Sequence, residues 1–575
     1  MRKSQILGAC ILVLFGIVLF SLVGVSDHKP GEYRIVIRVH VDTQVLETRL
    51  KTYLGNWDGI PIANSSTIVR NGMNITLVVT GLSSYERRPG NKFWVYAYLY
   101  VDSTPISSFG DLEAKLVGPD GAEEDMIYHV ENDFVYAYRT IRVNSIYAFL
   151  VFMIIVVIWA LTATSPLLVA LLIPILGIMV VNLPAYDVLS VFWDPSVALI
   201  FGALILAFSM HKTGLAERIT YIVLSRADSP SKVLVYLSII AYFLSMWMSS
   251  LGSMLVMLPI IATVLKTMNA REGSYYARGL TLSTMIASIF GGASTIVGNP
   301  ANALVASIAY RYVGIGIGFL EWMIIAVPLT FTMVLLLDAV ILIFFPIKED
   351  LKRGYVSFDS NTHMLFGMHL MGLGPWTREE KITFSVFIGT VAGWIVYSYL
   401  YIIGLTHYMQ FVAFSLIAGF VLLITDVFRR EDLLRIRWDI LLALGGSLSL
   451  AVIMEETGIL ELLILELKGI NTLGLTVLIF AFLVILTIIL GPLVGVAIGI
   501  PIAILSTDLS SFGIVMFSLG ASAVIAGPNG LVFEESARKR GFLEYRDYLK
   551  WSFIVTILIF TMILAILLSS YIMIW

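Results

Sequence analysis

The stretch GGASTIVGNPANALV, residues 291–305, interrupts a chain that is otherwise mostly apolar. A membrane-spanning helix needs about 20 mostly apolar residues, and its backbone hydrogen bonds must all be made inside the protein. Pro300 removes one backbone donor, and the glycines weaken the helix around it. The stretch therefore predicts a helix that is broken within the membrane. Such a break frees backbone carbonyls, which suit a cation, and exposes a helix amino terminus, which suits an anion.

The composition excludes several classes of protein. Of the 575 residues, 58% are hydrophobic and 13% are charged, which is typical of an α-helical polytopic membrane protein with the lipid bilayer as a partner. The net charge is −3, and we expect no nucleic-acid partner. Cys10 is the single cysteine, so neither an intramolecular disulfide nor a cysteine metal site can form. HExxH, GxSxG and P-loop motifs are absent from the sequence, so we expect no enzymatic activity and no cofactor.

The amino-terminal region predicts a membrane anchor followed by a β-domain. Arg2 and Lys3 precede an apolar run, so residues 1–26 are predicted to be an uncleaved anchor with a cytoplasmic amino end, a cleaved signal peptide being the alternative. Residues 27–144 predict an extracytoplasmic, sandwich-like β-domain with a role in packing or assembly rather than ligand binding. The segments that alternate in polarity, as strands do, are 34–41, 74–79, 92–101 and 134–143.

The rest of the chain is nearly continuous membrane segments. The polar stretch 347–378 is predicted to be a cytoplasmic linker between a first repeat, 145–346, and a second, 379–575. Spans are predicted at 146–163, 166–182, 195–210, 321–346, 380–402, 408–427, 438–454 and 550–574, with shorter, interrupted pieces at 233–265, 279–310, 472–506 and 511–536.

Two segments show that the halves are related. FGALILAFSMHKTGL (201–215) aligns with GGSLSLAVIMEETGI (445–459) at a constant offset of 244 positions. Each half continues with an interrupted apolar pair and then a Pro-Asn break, and the second break is AGPNGLV (526–532). The shared order of features indicates an internal repeat.

Loop charges predict that the two repeats have opposite orientations. Counted from the cytoplasmic amino end, the basic stretch 211–232 falls inside, whereas the matching acidic stretch 455–470 falls outside. The carboxyl end is then external. Inverted repeats with re-entrant hairpins and matching broken helices are typical of secondary transporters, whose site lies where the breaks meet near the midplane.

At these residues the chain resembles the ion-transporter superfamily. It is most similar to the divalent-anion:sodium symporters of dicarboxylate, citrate or sulfate, with the arsenite-efflux and sodium/proton antiporter branches as neighbours. The stretches that carry the resemblance include 194–219, 245–260, 291–304, 438–459 and 520–533. The resemblance implies that each half has a hairpin tipped by Ser-Asn-Thr, which binds sodium and the substrate carboxylate together with the nearby break. Here the tips are Ser249-Ser250-Leu251 and Gly491-Pro492-Leu493, so the Asn and Thr are replaced in both.

The candidate site combines the two tips with the two breaks, and Asn302 and Asn529 are its main predicted side chains because an amide can both donate and accept. Glu534 and Glu535 are candidate coupling residues, although ion pairing at the membrane edge is the alternative. Asp194 is predicted to be a helix cap. The full set of candidate binding residues is Ser249, Ser250, Gly252, Thr295, Gly298, Asn299, Asn302, Gly491, Pro492, Gly495, Gly527 and Asn529.

The sequence therefore predicts a multi-pass plasma-membrane protein that transports a small anion by alternating access. Na⁺ or H⁺ is the expected coupling ion, and a transported Na⁺ is the only metal ion expected. For the oligomeric state, a monomer and a homodimer are both compatible with the sequence. The alternative hypothesis is a degenerate transporter fold that serves as a scaffold or sensor for the external β-domain.

Overall fold

The computed structural model describes ten strands between residues 32 and 140, and residues 166–574 except 182, 359, 457–458, 461–466, 468–470, 508 and 526–527. Side chains are described for most of residues 170–569. The anchor predicted at 1–26 and the span predicted at 146–163 lie outside the described residues.

The amino-terminal strands form two antiparallel sheets. One has the order β4-β1-β7-β8 and the other β3-β2-β5-β10-β9, with β6 paired to β5. The segments predicted as strands overlap β1, β4, β5 and β10. The bounds are β1 (Glu32–His40), β2 (Thr48–Gly55), β3 (Pro61–Val69), β4 (Asn74–Ser83), β5 (Lys92–Val101), β6 (Thr104–Pro105), β7 (Leu112–Val117), β8 (Glu123–Asp125), β9 (Ile127–Glu131) and β10 (Phe134–Thr140).

The first membrane half contains a helical hairpin, α5–α6, and a broken helix, α7–α8. A single 3₁₀ turn at Val191–Trp193 precedes α3. The helices of this half are α1 (Pro166–Met179), α2 (Ala185–Ser190), α3 (Pro195–Lys212), α4 (Leu215–Leu224), α5 (Pro230–Met248), α6 (Ser250–Thr267), α7 (Tyr275–Ala293), α8 (Pro300–Val313) and α9 (Phe319–Phe344).

The second half repeats this order, with a hairpin, α15–α16, and a broken helix, α17–α18. The remaining helices are α10 (Ile347–Lys352), α11 (Ser360–Gly372), α12 (Arg378–Ile402), α13 (Val412–Ile424), α14 (Trp438–Glu456), α15 (Thr472–Leu490), α16 (Pro492–Ser506), α17 (Ser511–Ser522), α18 (Pro528–Arg538) and α19 (Tyr545–Ile574). The predicted helix breaks are confirmed, because α7 ends at Ala293 and α8 begins at Pro300.

Eight helices in the described residues are long and apolar enough to cross a membrane, so the chain is a polytopic membrane protein. Three of them are hairpin arms, α5, α6 and α15. The predicted span at 408–427 contains only the 13-residue helix α13, which is shorter than a spanning helix requires.

Helix starts follow the expected capping chemistry. The Asp194 side chain accepts a hydrogen bond from Ser196 N at 2.8 Å, and Pro195 occupies the first turn, where a missing N–H costs nothing. The second carboxylate oxygen of Asp194 accepts from Ser307 Oγ on α8 at 2.8 Å. The prediction that Asp194 is a cap is confirmed, and the cap also ties α3 to α8.

In each half, one helix packs against a helix of the other half. Helix α3 packs against α13, and α14, which matches α3 at an offset of 244, packs against α1. Both contacts are close at matching glycines: a Cβ at Gly202 would collide with the backbone of Ser415, and a Cβ at Gly446 would collide with Ala170. Small residues let these helices approach closely without a hydrophobic driving force.

The stretch 347–378 differs from the predicted polar linker because it contains two helices, α10 and α11. Asp350 of α10 accepts from Tyr276 N at 2.8 Å and so caps the start of α7. Arg218 of α4 donates to the carbonyls of Gly374 (2.9 Å) and Leu373 (3.1 Å), and Glu380, just after the stretch, pairs with the same buried guanidinium, with Nε and Oε1 2.7 Å apart. The stretch is therefore packed against the first half, which its polar composition did not indicate.

Candidate functional site

The tip of the first hairpin is a single residue, Ser249, between α5 and α6. Its φ of 63° and ψ of 156° lie in a region that is nearly exclusive to glycine. Its Oγ accepts from Gly252 N at 3.3 Å, which caps α6. The candidate residues Ser249 and Gly252 thus form the turn itself.

Ser250 carries an unused polar group at this tip. The residue is buried, and its Oγ has no hydrogen-bond partner among the described residues. The hydroxyl lies so close to Gly292 of α7 that a Cβ there would collide with it. Because a buried polar group without a partner is costly, this hydroxyl is suited to meet a ligand.

Thr295 joins the first tip to the first break. Its Oγ1 donates to the carbonyl of Met246 on α5 at 2.6 Å and accepts from Gly298 N at 3.0 Å. Gly298 must be small, because a Cβ there would lie 2.6 Å from the carbonyl oxygen of Gly292. The break is therefore packed directly beneath the tip.

The two asparagines of the first break have structural partners. Asn299 caps α8, with Oδ1 accepting from Ala301 N at 3.1 Å. Asn302 is fully buried, and its Oδ1 accepts from Ser522 and, at 3.4 Å, from Ser518, both on α17 of the second half. Its Nδ2 donates to the carbonyls of Gly292 (3.2 Å), Ala293 (3.2 Å) and Thr295 (2.7 Å).

These bonds occupy both ends of the Asn302 amide. In this conformation Asn302 holds the carbonyls of the break in place and bridges the two halves. It is thus a positioning residue here, and direct contact with a cargo stays a prediction.

The tip of the second hairpin has no polar side chain. Gly491, with φ 92° and ψ 166°, adopts nearly the same backbone conformation as Ser249. Pro492 begins α16 and has no N–H to offer. Gly495 packs against Thr487 of α15, where a Cβ would lie 2.5 Å from Oγ1.

The second break lies between Ser522, where α17 ends, and Pro528, where α18 begins. Tyr548 of α19 donates to the carbonyl of Ile525 in this break at 3.0 Å. Gly527 and the side chain of Asn529 lie outside the described residues, so their predicted roles stay predictions.

Each break helix packs against the hairpin of the other half. Helix α8 contacts α16, and α18 contacts α6, while the broken helices α7 and α17 also touch each other. The candidate residues of both halves are therefore carried by one connected group of helices.

Glu534 and Glu535 are both ion-paired. Glu534 is buried and pairs with Arg538 at 2.8 Å, and Glu535 pairs with Lys539 at 3.1 Å. Both pairs join residues four apart at the carboxyl end of α18, which is the ordinary ion pairing of the alternative prediction. A coupling role for either residue stays a prediction.

Sequence reasoning missed several residues that build the site. Ser522 follows Thr295 by 227 positions, the same offset that relates Asn529 to Asn302, so the repeat alignment could have identified it. Trp322 of α9 also contributes, since its Nε1 donates to the carbonyl of Ala293 at 3.2 Å, but no sequence pattern indicated this role. The described residues include no group of three His, Cys, Asp or Glu that could hold a metal ion.

Comparison with known proteins finds similarity to transporters. The sequence profile of the citrate transporter family matches residues 149–527. An uncharacterized transporter of Haemophilus influenzae is 26% identical over 414 residues, which cover 68% of this chain and 85% of that protein. The sodium-dependent dicarboxylate transporter SdcS of Staphylococcus aureus strain USA300 is 25% identical over 335 residues, which cover 54% of this chain and 63% of that protein. Because the profile covers more than half of the residues, the chain belongs to the citrate transporter family.

Proposed function

We propose that this protein is a secondary active transporter of a small anion, coupled to Na⁺ or H⁺ and working by alternating access. Its cargo site lies at the hairpin tips and the helix breaks. The observation that carries the proposal is the Ser250 hydroxyl, which is buried, has no partner among the described residues and is packed against a broken helix.

The chemistry around this hydroxyl favours an anion. The amino termini of α6, α8 and α16 belong to the packed group of tips and breaks, and helix amino termini carry partial positive charge and unpaired N–H groups. The family description and the dicarboxylate transporter among the relatives support the same class of cargo.

Alternating access further requires two repeats of opposite orientation, which we propose with re-entrant hairpins at α5–α6 and α15–α16. Support comes from the exchanged contacts of α3 with α13 and of α14 with α1, because a two-fold relation between halves produces paired contacts of this kind. In this orientation the amino end is cytoplasmic, and the β-strand region and the carboxyl end are external.

Thiol labelling tests the orientation. Single cysteines replace Ser225 and Gly469 in a Cys10→Ser background, and intact cells are treated with an impermeant thiol reagent. We expect labelling at position 469 and protection at position 225. Labelling of both from one side would contradict the inverted repeat.

Ligand-induced stabilisation tests the cargo site. The purified full chain is heated with sulfate, succinate or citrate, with and without Na⁺ and at two pH values. A ligand at about 100 times its Kd stabilises the folded state by about 2.7 kcal/mol, which is easily measured. Ser250→Ala should remove the ligand effect.

The matched control is Ser209→Ala, a buried serine on α3 whose hydroxyl donates to Ile205 O of its own helix at 2.9 Å. This variant should keep the ligand effect. Stabilisation by none of the anions would favour the scaffold alternative, and an undiminished effect in Ser250→Ala would place the site elsewhere.

A further inference from the structure

A buried carboxyl group lies outside the candidate site, on α9. Asp338 is 3% exposed, and its Oδ1 accepts from Ser283 Oγ on α7 at 2.5 Å. Ser238 on α5 faces the same carboxyl group. Neither Ser238 Oγ nor Asp338 Oδ2 has a hydrogen-bond partner among the described residues.

No cation neutralises this carboxyl group in the described part of the chain. Helices α5, α7, α12 and α17 pack against α9, and four ionisable groups on these helices have other partners: Lys232 pairs with Asp228, Arg278 with Asp547, Glu380 with Arg218, and Tyr242 with Thr330. Lys550 of α19 lies over the ring of Phe344, near the end of α9. The other ionisable groups on α9 and these four helices, none hydrogen-bonded or ion-paired to Asp338, are Tyr236, Tyr275, Tyr276, Glu321, Arg378, Glu379, Lys381, Tyr397, Tyr399 and Tyr401.

One proton on the carboxyl group would give both unpaired atoms, Asp338 Oδ2 and Ser238 Oγ, a hydrogen-bond partner. An ionised carboxylate with no cationic partner is very unfavourable in a buried site, and such a group neutralises instead. A proton on Asp338 Oδ2 makes that oxygen a donor, and Ser238 Oγ is the available acceptor. A hard metal cation takes about six or more oxygen ligands, whereas this position offers two unpaired oxygens.

A row of hydroxyl groups leads from the region of Asp338 toward the first hairpin tip. Ser238, Tyr242 and Ser245 are spaced by four and three residues, so they share one face of α5, and Ser249 follows Ser245 by four residues at the tip. Along this face Tyr242 OH lies 2.9 Å from Thr330 Oγ1 of α9, and Ser245 donates to the carbonyl of Ser288 on α7. The row extends about 16 Å, from the rise of 1.5 Å per residue.

We propose that Asp338 is an intramembrane proton-binding site that couples proton movement to anion transport, an inference that rests on the proposed function. In the conformation described here the carboxyl is protonated. When the transporter reorients, the proton leaves Oδ2 for water along the hydroxyl row, and a proton from the opposite side replaces it. Nothing else is consumed or formed in this step. Intramembrane acids commonly have such roles.

Infrared spectroscopy of the full chain in lipid tests proton binding without any cargo. We expect a carbonyl band of a protonated carboxyl group at neutral pH that Asp338→Asn removes. The matched control is Asp228→Asn, an exposed aspartate paired with Lys232, which should keep the band. Asn at position 338 accepts from Ser283 and donates to Ser238 as the protonated carboxyl does, so the variant should fold. The absence of any band that depends on Asp338 would overturn the inference.

Proteoliposomes test the coupling. Citrate and succinate are offered under an inward proton gradient, and exchange of labelled for unlabelled anion is measured separately. Asp338→Asn should lower gradient-driven accumulation by about tenfold or more while exchange persists. Accumulation equal to that of the unmodified protein would overturn the coupling role. If the unmodified protein moves neither anion, the proposed function fails for these cargoes, and the infrared band still decides whether Asp338 binds a proton.

Discussion

The two hairpin tips have nearly the same backbone conformation but different residues. Gly491 adopts φ 92° and ψ 166° without a steric penalty, whereas Ser249 adopts φ 63° and ψ 156° with a side chain. A non-glycine residue in this region costs about 1–3 kcal/mol. A serine held under strain beside an unpaired Ser250 hydroxyl suggests that the first half contributes side-chain chemistry. We propose that the second half contributes only backbone groups, from Gly491 and Gly495.

The largest effect should come from the residue that joins the halves. Asn302→Ala leaves three carbonyls of the first break without their buried donor, so the free energy of unfolding should fall by about 2–3 kcal/mol. The control Asn299→Ala removes one capping bond and should cost about 1 kcal/mol. Thermal melting of the purified variants measures both. Equal stability of the two variants would show that the Asn302 bonds do not hold the break.

A second comparison substitutes the residue at each hairpin tip. Gly491→Ala introduces a Cβ at a positive φ and should lower the free energy of unfolding by about 1–3 kcal/mol. Ser249→Gly relieves the same strain and should leave stability unchanged or higher, while weakening anion binding. Melting temperatures with and without anion separate the two effects. If Ser249→Gly destabilised the protein as much as Gly491→Ala does, Ser249 would be structural and the contrast between the halves would fail.

The smallest effect on stability should come from Ser250→Ala. Its hydroxyl has no partner among the described residues, so the free energy of unfolding should change by less than about 0.5 kcal/mol. Ser253 is the matched control on the same arm, since its hydroxyl donates to the carbonyl of Ala241 at 3.0 Å. Ser253→Ala should cost about 1 kcal/mol and keep anion binding. A larger loss in Ser250→Ala than in Ser253→Ala would mean that Ser250 has a structural partner.

The sequence predicted those features that depend on local chemistry. Pro300 and its neighbouring glycines are enough to predict the break at which α8 begins, and Asp194 before Pro195 is enough to predict a cap. The link between Asn302 and Ser522 joins residues 220 positions apart, so no local pattern could reveal it. The strained backbone at Ser249 could not be predicted either, because a serine in a sequence does not indicate a positive φ. Asp338 was missed because a single acid near the end of an apolar helix resembles a membrane-edge residue until its burial is known.

In our proposal, the first tip and break form the cargo site of an ion-driven transporter. Uptake of labelled citrate and succinate into proteoliposomes tests it most directly, under inward Na⁺ or proton gradients, for the unmodified protein and for the double variant Ser249→Gly, Ser250→Ala. We expect gradient-driven uptake that the double variant lowers by about tenfold or more while the protein stays folded. Gradient-driven uptake that is the same in both proteins would contradict it.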